Sequence, residues 1–139
     1  MDDREKREIA RQEREAEIGD IVRDALDDVV AEWPVGAPKL KESFPSVAAY
    51  EALPHVSIWY FFWMDADLEV AKVTRVTAWA DRATRNRMKA RGLPDDVVAG
   101  AGIIFVTHED AQRAPTAYHF FNDCGNWYSE PKPGESAKG

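Results

Sequence analysis

The first third of the chain carries one apolar stripe at helical spacing. Its members follow i, i+4, i+7, i+8, i+11 and i+15, which places them on one side of a helix; they are Ile18, Val22, Ala25, Leu26, Val29 and Trp33. Pro34 and Gly36 end the pattern. We therefore predict a helix over residues 2–33 whose second part docks on the core. Residues 1–17 are mostly charged, and we expect them to form a helical extension that projects or binds something.

Apolar residues on both alternating faces predict a central strand from His55 to Met64. This segment reads HVSIWYFFWM, in which β-branched and aromatic residues dominate. A strand that is apolar on both faces is covered on both faces. Further strands are predicted at Leu68–Ala80, as the hairpin partner of the central strand, at Ile103–Thr107, at Thr116–Phe121 and briefly from Trp127.

Capping residues predict two shorter helices, one before the central strand and one after its hairpin partner. Ser46 can cap a helix that ends near Leu53, and Asp81 can cap a basic helix that ends at Arg91. Residues 34–45 contain three prolines and are interpreted as a loop. The element order predicts an α+β fold, in which the long N-terminal helix packs on a mostly antiparallel four- or five-stranded sheet.

Length and composition are those of one folded domain. The 139 residues are 45% hydrophobic and 31% charged, and we assign residues 18–130 to a single α+β domain and residues 131–139 to a flexible tail. Cys124 is the only cysteine, so a disulfide framework is excluded and a reducing compartment is expected. The N-terminus lacks the apolar run of a signal peptide, and no apolar run is long enough to span a membrane. We expect a cytoplasmic protein.

The net charge of −7 is unevenly distributed along the chain. Residues 1–33 hold 12 acidic and 6 basic side chains, whereas residues 72–92 hold 1 and 7. An acidic surface repels nucleic acid and attracts a basic protein, so we expect a protein partner. The residues predicted to steer and anchor this partner are Asp20, Asp24, Asp27, Asp28, Trp59, Trp63, Trp127 and Tyr128.

The basic helix permits three interpretations. Arg82, Arg85 and Lys89 share one helix face and could bind an anion such as phosphate. They could equally form a solvated face, or the helix could pair its charges with the acidic N-terminal helix. The sequence leaves these alternatives open.

No motif in the sequence assigns a catalytic residue, a cofactor or a metal site. A ligand pocket built around His55, His108 or His119 is the alternative, and only an odd-sum hairpin register would bring His108 and His119 to one face. Cys124 lies beside an acid in a predicted turn, which disfavours a reactive thiolate. The acidic residues Asp65, Asp67 and Glu69 are followed by Lys72, a set of residue types that metal-dependent nucleases use. On a strand, however, Glu69 and Lys72 would face opposite sides, so we interpret Asp65–Asp67 as a turn.

Together these features predict a non-enzymatic, acidic protein-binding domain. An inhibitor, an immunity protein or a phage anti-defence protein that acts on a basic partner fits this profile. The alternative is a small-molecule-binding or catalytic domain with an aromatic and histidine-lined pocket. Self-association through the N-terminal helix is a third possibility.

Overall fold

The computed structural model describes residues 2–49 and 53–114 and has an α+β architecture with a long N-terminal helix, as predicted. In chain order the elements are α1 (Asp3–Ala31), β1 (Leu40–Ala48), β2 (His55–Phe62), α2 (Asp65–Val73), α3 (Val76–Ala90), α4 (Asp95–Gly100), β3 (Gly102–Thr107) and α5 (His108–Arg113). Within these ranges, no helix combines the length and the low charge needed to cross a lipid bilayer.

The sheet in the described residues has three strands in the order β1-β2-β3. β2 is central, as predicted, and pairs antiparallel with β1 but parallel with β3. The prediction of four or five mostly antiparallel strands is therefore wrong for this part of the chain. Two parallel strands need a long crossover connection, and α2, α3 and α4 supply it. The strands predicted at Thr116–Phe121 and from Trp127 lie outside the described residues.

The segment Leu68–Ala80 is helical and is not the hairpin partner of β2. Its valines suggested a strand, but Val70 and Val73 are 49% and 80% exposed on the outer side of α2. Asp65–Asp67 forms the first turn of α2 instead of a separate turn, since the Asp67 carboxylate accepts a hydrogen bond from the Met64 amide at 3.2 Å. Acidic residues in a first helical turn are favoured by the helix dipole.

The basic helix begins earlier than predicted, because α3 starts at Val76. Asp81 lies inside this helix and does not cap it; its carboxylate accepts a hydrogen bond from Arg85. The N-cap is Arg75, whose φ of 65° lies in the left-handed region. One residue in this conformation is enough to separate α2 from α3.

The predicted loop is correct for residues 34–39 but wrong for residues 40–45, and the predicted helix from Ser46 to Leu53 is wrong at its start, because β1 occupies residues 40–48. Its register with β2 runs from Leu40 opposite Phe62 to Ala48 opposite His55. Pro45 lies within this strand. Proline has no N–H to donate, and β1 tolerates it because the strand is the first in the sheet order of the described residues.

Both faces of β2 are buried, as its composition predicted. One face packs Val56, Ile58 and Tyr60 against α1 and α3. The opposite face carries Trp59 and Phe61 in a second cluster, with Ile104, Val106, Phe44, Ala111 and Ala114. The sheet is therefore a rigid support for the helices on its Tyr60 side.

The apolar stripe of α1 docks on the core as predicted. Val22, Ala25, Leu26 and Val29 are fully buried, and Ile18 and Trp33 pack at the margin. Nearer its N-terminus, α1 also contacts the residue that follows β1. Arg14 donates to the Ala49 carbonyl at 2.5 Å, and Glu15 accepts from the Ala49 amide at 3.1 Å.

Candidate functional site

The structure does not bring the described histidines together. His55 begins β2, whereas His108 begins α5 directly after β3. Because β2 and β3 are parallel, these two residues lie at opposite ends of the strands. His108 packs edge-on against the Trp63 ring, and His55 contacts the Ser57 hydroxyl at 3.2 Å. His119 and Cys124 lie outside the described residues, so their predicted roles stay predictions.

Of the aromatic anchors predicted for a partner, Trp63 is accessible and Trp59 is not. Trp59 is 8% exposed within the second core cluster, whereas Trp63 is 49% exposed at the end of β2. The ammonium of Lys41 lies 5.7 Å from the Trp63 ring centroid, a favourable cation–π distance. Trp127 and Tyr128 lie outside the described residues.

A polar cleft of about 310 Å³ lies where the carboxyl ends of β2 and β3 meet α2 and α5. This edge is where open sheets with parallel strands often bind ligands. Leu68 and Phe105 contribute apolar surface to the cleft. Its charged lining consists of Asp65, Glu69, Lys72, Asp110 and Arg113.

The charged side chains of the cleft are largely bonded to one another. The Asp65 carboxylate accepts a hydrogen bond from the Thr107 hydroxyl at 2.6 Å and pairs with Arg113 at 2.8 Å. These two partners, first the hydroxyl and then the guanidinium, lower the pKa of Asp65. Arg113 also pairs with Asp110 at 2.7 Å, and Glu109 accepts from the Asp65 amide at 2.9 Å. The network therefore joins the first turns of α2 and α5.

Sequence reasoning missed this cleft because it treated residues 68–80 as a strand. On a helix, Asp65, Glu69 and Lys72 follow i, i+4 and i+7 and share one side, and Lys72 lies 3.4 Å from the Glu69 carboxylate. A helical interpretation of 65–73 would have grouped them. Thr107 and Arg113 join this group only through the tertiary structure, which no local sequence pattern predicts. Across the described ranges, no three His, Cys, Asp or Glu side chains are arranged to hold a metal ion.

The basic helix pairs with the acidic N-terminal helix, which was one of the three interpretations of its sequence. Arg91 makes two hydrogen bonds to the Asp28 carboxylate, at 2.8 and 2.9 Å, and Arg87 pairs with Glu32. Arg91 lowers the pKa of Asp28. The last turn of α1 contains no basic residue, so these arginines supply the positive charge that a helix C-terminus favours.

Two of the three residues predicted to bind an anion already have partners within the chain. Arg85 bonds to the Asp81 carboxylate at 2.6 Å and to the Val98 carbonyl at 2.7 Å. Lys89 lies 3.4 Å from Asp95. Arg82 is exposed, and no described residue pairs with it.

The outer side of α1 carries a row of exposed carboxylates, which we call the acidic row. Its members follow i, i+4, i+7, i+11 and i+14, opposite the buried stripe; they are Glu13, Glu17, Asp20, Asp24 and Asp27. Asp24 lies 3.8 Å from Arg91. The other four form no ion pair with a described residue, although Arg91 is close enough to Asp27 for their charges to interact. Of the four acids predicted to steer a partner, Asp20 and Asp27 are thus unpaired, Asp24 is loosely paired and Asp28 is engaged by α3.

Comparison of the chain with protein-family models, with curated proteins and with solved structures gives no match. The side chains of the acidic row and the cleft are therefore the basis for proposing a function.

Proposed function

We propose that this protein is a non-enzymatic, acidic protein-binding domain that docks a basic partner on the outer side of α1. The carrying observation is the acidic row: four of its five carboxylates form no ion pair with a described residue, while Asp28 and Glu32 on the adjacent side are paired with α3. The 14 residue steps from Glu13 to Asp27 span about 21 Å of helix. An inhibitor, an immunity protein or a phage anti-defence protein is the kind of protein this proposal includes.

Exposed, unpaired carboxylates favour association in two ways. Their summed field steers a cationic surface toward the helix before contact, which raises the association rate at low salt. They also need not break an internal ion pair on binding. The helix beneath Asp20, Asp24 and Asp27 is held on the core by Val22, Leu26 and Val29, so this part of the row has a fixed position on the core.

The experiment compares capture by two charge-reversed variants. The row variant carries Glu17→Lys, Asp20→Lys and Asp27→Lys. The control carries Asp3→Lys, Glu5→Lys and Glu42→Lys, three exposed acids outside the row. Both change the net charge by the same amount, so they separate a local docking surface from a general charge effect.

Native lysate is passed over immobilised wild type and both variants, and captured proteins are quantified by mass spectrometry. A basic protein retained by wild type and by the control, but lost by the row variant, supports the proposal. Once that protein is in hand, the row variant should slow its association mainly at low salt, since exposed charges are screened within about 10 Å at 0.1 M ionic strength. Equal capture by all three proteins contradicts the proposal.

A small-molecule site is the second candidate, and the cleft between α2 and α5 is the observation that favours it. Its lining is charged, in contrast to the aromatic and histidine-lined pocket expected from the sequence. The test is a thermal-shift screen of small charged metabolites against wild type and Asp110→Asn. Ligands that stabilise wild type and lose their effect in the variant support this candidate, and a screen without such ligands contradicts it.

A further inference from the structure

A second charged row lies on the outer side of α3. Arg75, Arg82 and Lys89 follow i, i+7 and i+14 and are all exposed. Arg82 and Lys89 lie opposite the buried side of the helix, which carries Val76, Ala80, Thr84 and Met88, and Arg75 is the N-cap at the start of the helix. We call these three cations the basic row. Within the helix, the seven residue steps from Arg82 to Lys89 span about 10 Å.

The ion pairs between α1 and α3 fix the relative positions of the two rows. Arg91 meets Asp28, and Arg87 meets Glu32. A step of four residues toward the N-terminus of α3 therefore corresponds to a step of four residues toward the C-terminus of α1, so the helices are antiparallel. The acidic row extends beyond the C-terminal end of α3, and Arg75 and Arg82 lie beyond the C-terminal end of α1. The rows thus occupy opposite ends of the helical layer.

Both rows point away from the sheet, because both helices pack on its Tyr60 face. α1 reaches this face through Val22, Leu26 and Val29, and α3 through Thr84, whose hydroxyl lies 2.6 Å from the Tyr60 hydroxyl. The outer surface of the helical layer is therefore dipolar, negative at one end and positive at the other.

From this arrangement we propose that the helical layer pairs with that of a second copy in a two-fold symmetric dimer. A two-fold axis that runs parallel to the layer, just outside its outer surface and midway between the rows, places the acidic row of each copy over the basic row of the other. The same patch serves both copies and every favourable contact occurs twice, which is the property of an isologous interface. The dimer uses the acidic row, as the proposed function does, but needs no foreign partner.

Two opposing effects determine how strong such a dimer is. Each copy carries a net charge of −7, which repels the other at long range. The complementary rows attract at short range, where like charges would be strongly disfavoured. The outcome is a concentration-dependent dimer in which a basic partner competes with the second copy for the acidic row.

The test is a charge swap between the two rows, read by analytical ultracentrifugation. The acid-reversed variant carries Glu17→Lys, Asp20→Lys and Asp27→Lys, and the base-reversed variant carries Arg82→Glu and Lys89→Glu. Wild type should dimerise over a concentration series up to about 1 mM, which detects dissociation constants in the millimolar range. Each variant alone should stay monomeric, because its two rows then have the same sign.

An equimolar mixture of the two variants should form a heterodimer, since one then presents cations and the other anions at both ends. The far-ultraviolet circular dichroism of each variant shows whether it is folded, and heterodimer formation itself shows that both surfaces are intact. A wild type that stays monomeric at about 1 mM, or variants that remain monomeric when mixed, overturn the dimer.

Cross-linking then tests the position of the axis. Ala31 is exposed at the end of α1, between the rows, whereas Ala16 lies within the acidic half. In a Cys124→Ser background, Ala31→Cys should form an interchain disulfide and Ala16→Cys should not, because a disulfide requires Cα atoms within about 7 Å. Cross-linking at Ala16 and not at Ala31 overturns the two-fold arrangement.

Different experimental results contradict the dimer and the proposed function. The base-reversed variant keeps the whole acidic row, so a foreign basic partner should bind it at least as well as it binds wild type. If wild type is monomeric yet captures a basic protein through the acidic row, only the dimer is overturned.

Discussion

The two sides of α1 carry the same kind of charge but differ in how that charge is satisfied. On the side facing α3, Asp28 and Glu32 are bound by Arg91 and Arg87. On the outer side, Asp20 and Asp27 form no ion pair with a described residue. Charge counted along the sequence treats all four acids alike. The structure separates acids that neutralise a neighbouring helix from acids that remain available to a partner.

The ion pairs between α1 and α3 orient the helices more than they hold them together. Exposed ion pairs contribute little to stability, because water and salt screen them. The attachment of the helical layer comes from the apolar residues beneath it, of which Val22, Leu26 and Val29 are fully buried. Substitutions in the core, at the ion pairs and in the acidic row should therefore have effects of decreasing size.

The largest effect is expected from Leu26→Ala, which removes a fully buried side chain between α1 and the sheet. Large-to-small substitutions at such sites cost about 2–5 kcal/mol. Chemical denaturation measures the loss. The control is Val30→Ala, where the native side chain is 40% exposed on the same helix. Equal losses at both positions would contradict the docking of this stripe.

The second effect concerns Tyr60, whose burial raises the pKa of its hydroxyl to about 12, although its hydrogen bond with Thr84 opposes the shift. In the unfolded chain this group ionises near pH 10. The raised pKa therefore stabilises the fold fully below pH 10, and this contribution is lost as the pH rises toward 12. Two pKa units correspond to about 2.7 kcal/mol as an upper limit.

Ultraviolet titration of tyrosine tests this pKa directly. In wild type, Tyr60 should ionise late, and Tyr60→Phe should remove that late step. Tyr60→Phe should also flatten the loss of stability between pH 10 and 12. A late step that persists in the variant would assign the raised pKa to another tyrosine.

The fold could be predicted from the sequence where the apolar pattern of an element is unambiguous, on one side of a helix or on both faces of a strand. The stripe of α1 and the two-sided apolar strand β2 are such cases. The prediction was wrong for α2, where Val70 and Val73 are residues typical of a strand but face solvent on a helix. It was also wrong for β1, because Pro45 suggested a loop. The composition of a short segment does not show which neighbouring strand or helix will bury its side chains.

For the candidate site, the acidic character of α1 could be predicted, but the division of its acids could not. Asp24, Asp27 and Asp28 are neighbours in sequence, and only the antiparallel packing of α3 determines which of them meets Arg91. The cleft was beyond prediction for the same reason. Its Asp65 and Thr107 are 42 residues apart and meet through the parallel pairing of β2 and β3.

The third effect is a shift in the titration of Asp28. Arg91 lowers the pKa of this carboxyl through hydrogen bonding and charge. The pair therefore stabilises the fold at pH values above the ordinary aspartate pKa, and this stabilisation is lost as the pH falls through the lowered pKa. Arg91→Ala should raise the pKa of Asp28 toward its usual range, as measured by carbon-detected NMR titration. Arg82→Ala is the matched control, since Arg82 has no acidic partner among the described residues. An unchanged Asp28 pKa in Arg91→Ala would contradict the pairing.

The smallest effect on stability is expected in the acidic row, and there it should have the opposite sign. Neighbouring carboxylates spaced i, i+3 and i, i+4 repel one another along the row, and each such pair destabilises a helix by about 0.2–0.5 kcal/mol. Asp20 has two carboxylates, Glu17 and Asp24, and one cation, Arg23, at these spacings, so repulsion outweighs attraction by one pair. Asp20→Asn should therefore leave stability unchanged or raise it slightly, while it slows association with a basic partner at low salt. Asp28→Asn makes the same change in charge one helix side away, where it removes an ion pair, and should lower stability without slowing association as much. Paired denaturation and stopped-flow measurements on these two variants decide whether the two sides of α1 differ in function. If both variants lose stability and neither loses association rate, the acids of α1 are structural on both sides.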